Sequence, residues 1–126
     1  MNNKIHEIDA SDWPVFCQRV SEQQSGAIVK VEGIKSNGVK GPSIPSATFL
    51  SMVFNGTGAC NNIIILRLRN RREIVHEILD PIHIRLNPTE GAVDFNPLEI
   101  KAESGMTAIR FHPAIHAPIL VGLRMA

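Results

Sequence analysis

The sequence predicts a mainly β fold of the α+β class: an N-terminal helix packed on a bent antiparallel sheet, or a small five- to six-stranded barrel. Three observations point there. Only one segment, around Trp13, has a helical period, whereas several later ones alternate apolar and polar residues or are rich in β-branched side chains. Short turn signals join those later segments. The intervening helices that a parallel sheet needs are missing.

The 126 residues suit one domain spanning 1–126, with 44% hydrophobic and 20% charged residues. Trp13, Phe16, Cys17 and Val20 stand at i, i+3, i+4 and i+7, which predicts a helix over about 11–25. Ser11 or Asp12 can cap its start, Pro14 is tolerated in a first turn, and Gly26 is placed to end it. Ala27 to Glu32 alternates as a strand. Lys35 to Pro45, with Gly38, Gly41, Pro42 and Pro45, reads as an irregular loop that leaves the strand pairing of 35–62 open. Ala47 to Phe54 reads as a strand apolar on both faces. Asn55-Gly56 and Gly58 mark a turn, and Ile63 to Arg69 is the strongest strand signal. After a turn at Asn70-Arg71, the stretch Glu73 to Leu86 carries Pro81 in its middle, where a bend or bulge is expected because proline cannot donate to a ladder. Asn87-Pro88 and Gly91 form a turn. Leu98 to Ala102 and Met106 to Phe111 then pair across Ser104-Gly105, and an apolar tail covers 113–126.

Three segments, Asp12-Trp-Pro-Val-Phe with Ser21 and Gly26, His76-Glu-Ile-Leu-Asp-Pro with Ile84-Arg-Leu, and Ile109-Arg-Phe-His-Pro-Ala with Pro118, resemble in order and spacing a bacterial domain-of-unknown-function family, DUF family fifty-three thirty-five. The resemblance covers the helix and first strand and then about 71–118. It implies a free-standing one-domain bacterial protein and carries over no catalytic residue. A helix followed by a small bent barrel is also similar to Sm-like RNA-binding proteins, but their Asp followed by Met-Asn and their late Ile-Arg-Gly are missing here.

Charge narrows the chemistry. Thirteen Lys and Arg against twelve Asp and Glu give +1, which excludes a whole-surface basic field of the kind used for non-specific nucleic-acid binding. A local anion site remains open at Arg67, Arg69, Arg71 and Arg72, with Arg67 and Arg69 on one strand face and the other two at the hairpin tip. The competing reading is a solvated hairpin whose arginines pair with Glu73 or Glu77. Stacking platforms are scarce, with no Tyr, one Trp and five Phe.

His76 falls in step with Ile74 and Ile78 and reads either as a buried imidazole or, in an enzyme, as a general base lacking an evident partner. His112 and His116 have the i, i+4 spacing of metal ligands, but Pro113 and Pro118 crowd them and no third ligand is near, so neither a metal nor a cofactor is expected. Cys17 and Cys60 read as a buried and a surface thiol. Gly33 and Gly38 have phosphate-loop spacing with Val39 where the lysine belongs, and no nucleophile-elbow motif occurs.

The longest apolar run, Ile63 to Leu66, is too short to span a bilayer. Met1-Asn-Asn-Lys-Ile-His leads into no apolar signal core, so a cytoplasmic protein is expected. No catalytic residues are assigned. The favoured reading is a non-enzymatic module for self-association, as a homo-oligomer, or for binding a protein partner. Ile119, Leu120 and Leu123 of the tail are the expected interaction surface.

Overall fold

The computed structural model of the chain describes residues 6–56, 62–86 and 97–124. A two-residue strand β1 (His6–Glu7) and a 3-10 turn (Ala10–Asp12) lead into α1 (Trp13–Gln24). The strands β2 (Ile28–Lys35), β3 (Lys40–Asn55), β4 (Ile63–Asn70), β5 (Arg72–Leu79), β6 (Pro81–Leu86), β7 (Leu98–Ala102) and β8 (Gly105–His112) follow, and a 3-10 turn (Ala117–Leu120) sits in the tail. All pairings are antiparallel, in one sheet of order β1-β6-β7-β8-β2-β3-β4-β5. The sheet is bent and stays open; it does not close into a barrel.

The helical stripe docks as its spacing demands. Trp13, Phe16, Cys17 and Val20 are all buried, in one cluster with Phe49, Met52, Ile64 and Leu66 of the sheet. Burying such side chains is worth roughly 1.5–3 kcal/mol each, which a helix of three turns needs. Trp13 also donates from Nε1 to the Ile8 carbonyl at 3.0 Å and meets Phe54 edge-on, with ring centroids 6.0 Å apart. The cap differs from expectation. Asp9, not Ser11 or Asp12, caps with its side chain, accepting from the Ser11 N–H at 3.1 Å at the head of the 3-10 turn. Asp12 instead accepts from the Arg124 N–H of the tail at 2.7 Å. Gly26 does end the helical segment with a positive φ of 91°.

The expected loop over 35–45 is mostly strand. β3 begins at Lys40, and its register against β2 slips twice: Val29 faces Ala47 while Val31 faces Ile44, and Glu32 faces Ser43 while Ile34 faces Lys40. Each slip adds one residue to β3, at 45–46 and at 41–42, where the two prolines stand. Proline is admitted to a strand at a bulge because the ladder is already interrupted there. A third slip against β4, between Phe49 and Ser51, also divides the faces. Ala47, Phe49 and Met52 are buried, whereas Val53 is 45% exposed, so the second strand is not apolar-buried on both faces.

The strand count among the described residues rises to eight because the short β1 is added and the 72–86 stretch is two strands. Asp80, at φ 50°, separates β5 from β6 by a single residue, and the two halves sit in different parts of the sheet: β5 pairs with β4, β6 with β7 and β1. The turns expected at Gly58 and at 87–91 lie outside the described residues. No described helix is long and apolar enough to cross a membrane.

Replacing Trp13 with Ala should cost on the order of 3–5 kcal/mol in urea unfolding, from lost burial plus the cavity left beside Phe54. A loss below about 1 kcal/mol would show that the stripe does not anchor the helix.

Candidate functional site

β4 and β5 form a long ladder without a register slip, Ile63 opposite Leu79 through to Asn70 opposite Arg72. The Asp80 N–H donates to the Asn62 carbonyl at 2.9 Å, which sets the phase of the ladder. In an antiparallel pair, hydrogen-bonded and non-hydrogen-bonded residues alternate. The backbone groups of Ile74, His76 and Ile78 therefore face β4, and those of Glu73, Val75, Glu77 and Leu79 face away from it. β5 ends the sheet, and no other backbone–backbone hydrogen bond among the described residues reaches 73–79.

The opposite edge is handled differently. β1 covers only its end, the Ile8 N–H closes onto the Ile84 carbonyl at 2.9 Å, and the Glu7 carboxylate ties His83 Nδ1 at 2.8 Å and Arg85 Nε at 3.2 Å. Those two partners hold the Glu7 carboxyl below its usual range, the His83 hydrogen bond most strongly. Short strands and charge are the ordinary means of blunting an edge. β5 has eight residues, no proline, no bulge, and Val75 and Leu79 48% and 61% exposed on its outer face. Across the register, Leu79 adjoins Ile63, and Ile65 adjoins Val53, so the outer face beside this edge carries a contiguous apolar patch.

A cleft of about 360 Å³ opens where β5 leaves the path of β6, between His76–Leu79 and the ends of β2, β7 and β8. Its far wall combines the small residues Gly33, Gly41, Ala102, Gly105 and Thr107 with the larger Ile34, Lys35 and Met106. Gly105 is irreplaceable there: a Cβ would stand 2.1 Å from the Ile34 carbonyl oxygen. His76 lies on the inner face in step with Ile74 and Ile78, half-buried, and makes no hydrogen bond among the described residues. Burial holds its imidazole below the usual pKa range. A general base needs a positioned partner within hydrogen-bond reach, and the geometry supplies none.

Alternation divides the arginines between the faces of the hairpin. Arg67 Nη1 pairs with Glu73 Oε2 at 3.1 Å, and Arg69 stands opposite Glu73 across the ladder. Arg71 occupies the turn at φ 68°, and Arg72 belongs by alternation to the other face of β5. The fully buried aromatics Phe16, Phe49 and Phe111 offer no platform beside them.

The tail is largely used inside the chain. Ile119 is 3% exposed in the core, with Leu120 and Leu123 partly buried against it. Arg19 of α1 donates to the carbonyls of Ile119, at 3.0 Å, and Val121. Val121 beside them is 70% exposed. His112 and His116 are exposed, and no group of three potential metal ligands occurs among the described residues. Cys17 is buried, its thiol pushed up to about 12, and Cys60 lies outside the described residues.

Sequence reasoning missed the free edge and the Glu7–His83–Arg85 cluster. For the cluster no local signal existed, since Glu7 and His83 are 76 positions apart. For the edge a signal did exist: a strand-patterned stretch split by Pro81 can change partners there.

No protein-family model, curated protein or solved structure matches the chain.

The depressed pKa of His76 fixes a sign. As pH falls below about 6.5 the unfolded chain takes up the proton first, so stability is full above that value and is lost as pH drops toward the folded pKa. His76→Leu should therefore lose less stability than the wild type between pH 7.5 and pH 5 in urea titrations, and equal losses would contradict it. Replacing Arg67 and Arg69 with Ala should change stability by no more than about 1 kcal/mol, as for an exposed pair, and leave the dichroism spectrum unaltered.

Proposed function

We propose that the chain is a non-enzymatic protein-interaction module that works by strand addition on the free edge of β5. One observation carries the reading: the sheet ends in an eight-residue, bulge-free strand whose outward backbone groups at Glu73, Val75, Glu77 and Leu79 have no backbone partner among the described residues and are flanked by exposed Val75 and Leu79. Main-chain pairing supplies the affinity in such docking, and pockets for alternate side chains supply the selectivity. The apolar cleft beside His76 and Ile78 is such a pocket, adjoining the inner face of any added strand. The contrast with the blunted β1 edge supports the reading, because an undefended edge is otherwise a liability. A cytoplasmic setting suits it, since nothing in the mode of binding calls for a disulfide, a metal or a cofactor.

Amide hydrogen exchange tests this residue by residue. In a dilute sample the amides of Val75 and Glu77 should exchange fast while those of His76 and Ile78, bonded to β4, exchange slowly. Val75→Pro should leave the fold intact, because that N–H faces away from β4, and should abolish association through the edge. Slow exchange at Val75 and Glu77 in the dilute chain would overturn the reading, since the edge would then already be covered.

A further inference from the structure

We infer that the strand added to β5 is β5 of a second copy of this chain, paired antiparallel about a two-fold axis that passes between the two His76 residues. The inference rests on the strand-addition reading above and names its partner.

The sequence of β5 supports it because the strand fits itself when read backwards. An antiparallel partner must set inner residues opposite inner residues, so allowed registers differ by steps of two. With His76 opposite His76, Ile74 faces Ile78 and Arg72 faces Asp80 of the second copy, each twice by symmetry. On the outer face, Glu73 meets Leu79 and Val75 meets Glu77, and no carboxylate faces another. Sliding by two residues in one direction sets Glu73 against Glu77. Sliding in the other direction sets Glu77 against itself and Ile74 against Asp80. Like charges directly opposite are destabilising, and unlike ones favourable, so the register on His76 is singled out among those that overlap most of the strand.

The backbone agrees with that choice. The outward-facing groups of β5 belong to Glu73, Val75, Glu77 and Leu79, and this register pairs Glu73 with Leu79 and Val75 with Glu77, odd with odd, so every bonded pair is one whose groups point across the gap. His76 then falls at a non-hydrogen-bonded pair, where the two Cα atoms approach to about 4.5 Å. Ile74 of the second copy comes to lie beside Ile78, at the apolar cleft between β5 and the ends of β2, β7 and β8. An isologous contact of this kind uses the same edge once on each copy and closes, so it consumes the open edge without building a fibre.

The test combines mass with site-directed crosslinking in the full chain carrying Cys60→Ser. Light scattering behind size exclusion at micromolar to hundred-micromolar concentration should give a dimer mass, returning to monomer in Val75→Pro. Adding His76→Cys should give a covalent dimer on mild oxidation as the main product, since Cα atoms at such a pair lie within disulfide range. In case His76→Cys impairs folding, the exposed pair Val75→Cys and Glu77→Cys provides a second route: each alone should crosslink several-fold less than an equimolar mixture of the two. A monomer mass throughout overturns the second copy as partner, while the exchange pattern at Val75 and Glu77 still judges the free edge separately. A dimer that survives Val75→Pro overturns the β5–β5 contact. A dimer lost in Val75→Pro but crosslinked equally well by Val75→Cys alone overturns the register on His76.

Discussion

The structure turns on what happens at Asp80-Pro81. A strand can hydrogen-bond on two sides, and a chain that runs straight keeps the same neighbours on each. Asp80 takes a left-handed backbone conformation, which Asp tolerates better than most residues, and Pro81 after it removes a donor. In one residue the chain leaves the β4 ladder and joins that of β7. Two consecutive strands thereby come to lie in separate parts of one sheet. Without the kink the stretch 72–86 would be one long strand; with it the sheet folds back on itself yet does not seal.

From that break the other features follow. The seam beside β5 stays open because the β7–β8 hairpin pairs with β6 and not with β5. Several small residues stand on the far side of the gap beside Ile34, Lys35 and Met106, and Gly105 cannot be enlarged without striking the Ile34 carbonyl. The helix and tail then stabilise the rest of the molecule. α1 buries its stripe on the sheet, Gln24 donates to the Pro113 carbonyl at 2.7 Å, and Arg19 and Asp12 hold the tail. These helix and tail contacts fall on elements other than β5, which joins the core through Ile78 and Ile74.

How much of this was legible in the sequence depends on the range of the interactions involved. The helix was legible because its stripe is a local period, and β4 because Ile63 to Leu66 is strongly β-forming. The bend at Pro81 was legible from the missing donor. The first half of β3 was not, because Gly41, Pro42 and Pro45 signal a loop unless a partner strand can absorb extra residues as bulges, and β2 does so. The tail shows how little an apolar run decides by itself. Its apolar run is equally suited to a neighbour and to the chain's own core, and the choice rests on Arg19 and Asp12, about a hundred positions away. The division of the arginines was half legible: the alternation that puts Arg67 and Arg69 on one face of β4 also places Glu73 opposite Arg69 once the ladder register is known.

The proposed edge site asks little beyond what the sheet itself supplies. Specificity at a sheet edge needs only a phase and a pattern. The phase comes from the Asp80 to Asn62 hydrogen bond, which fixes which amides face outward. The pattern comes from alternation, which puts Ile74, His76 and Ile78 on one side and Glu73, Val75, Glu77 and Leu79 on the other. A one-residue slip of an incoming strand would set its polar side chains over the cleft and its apolar ones into solvent, so register is strongly selected. In the proposed docking the glutamates would act against wrong partners as much as for right ones, because an incoming strand that sets a carboxylate opposite Glu73 or Glu77 would be repelled. An edge can therefore stay unpaired in the folded chain and still be selective in what it accepts.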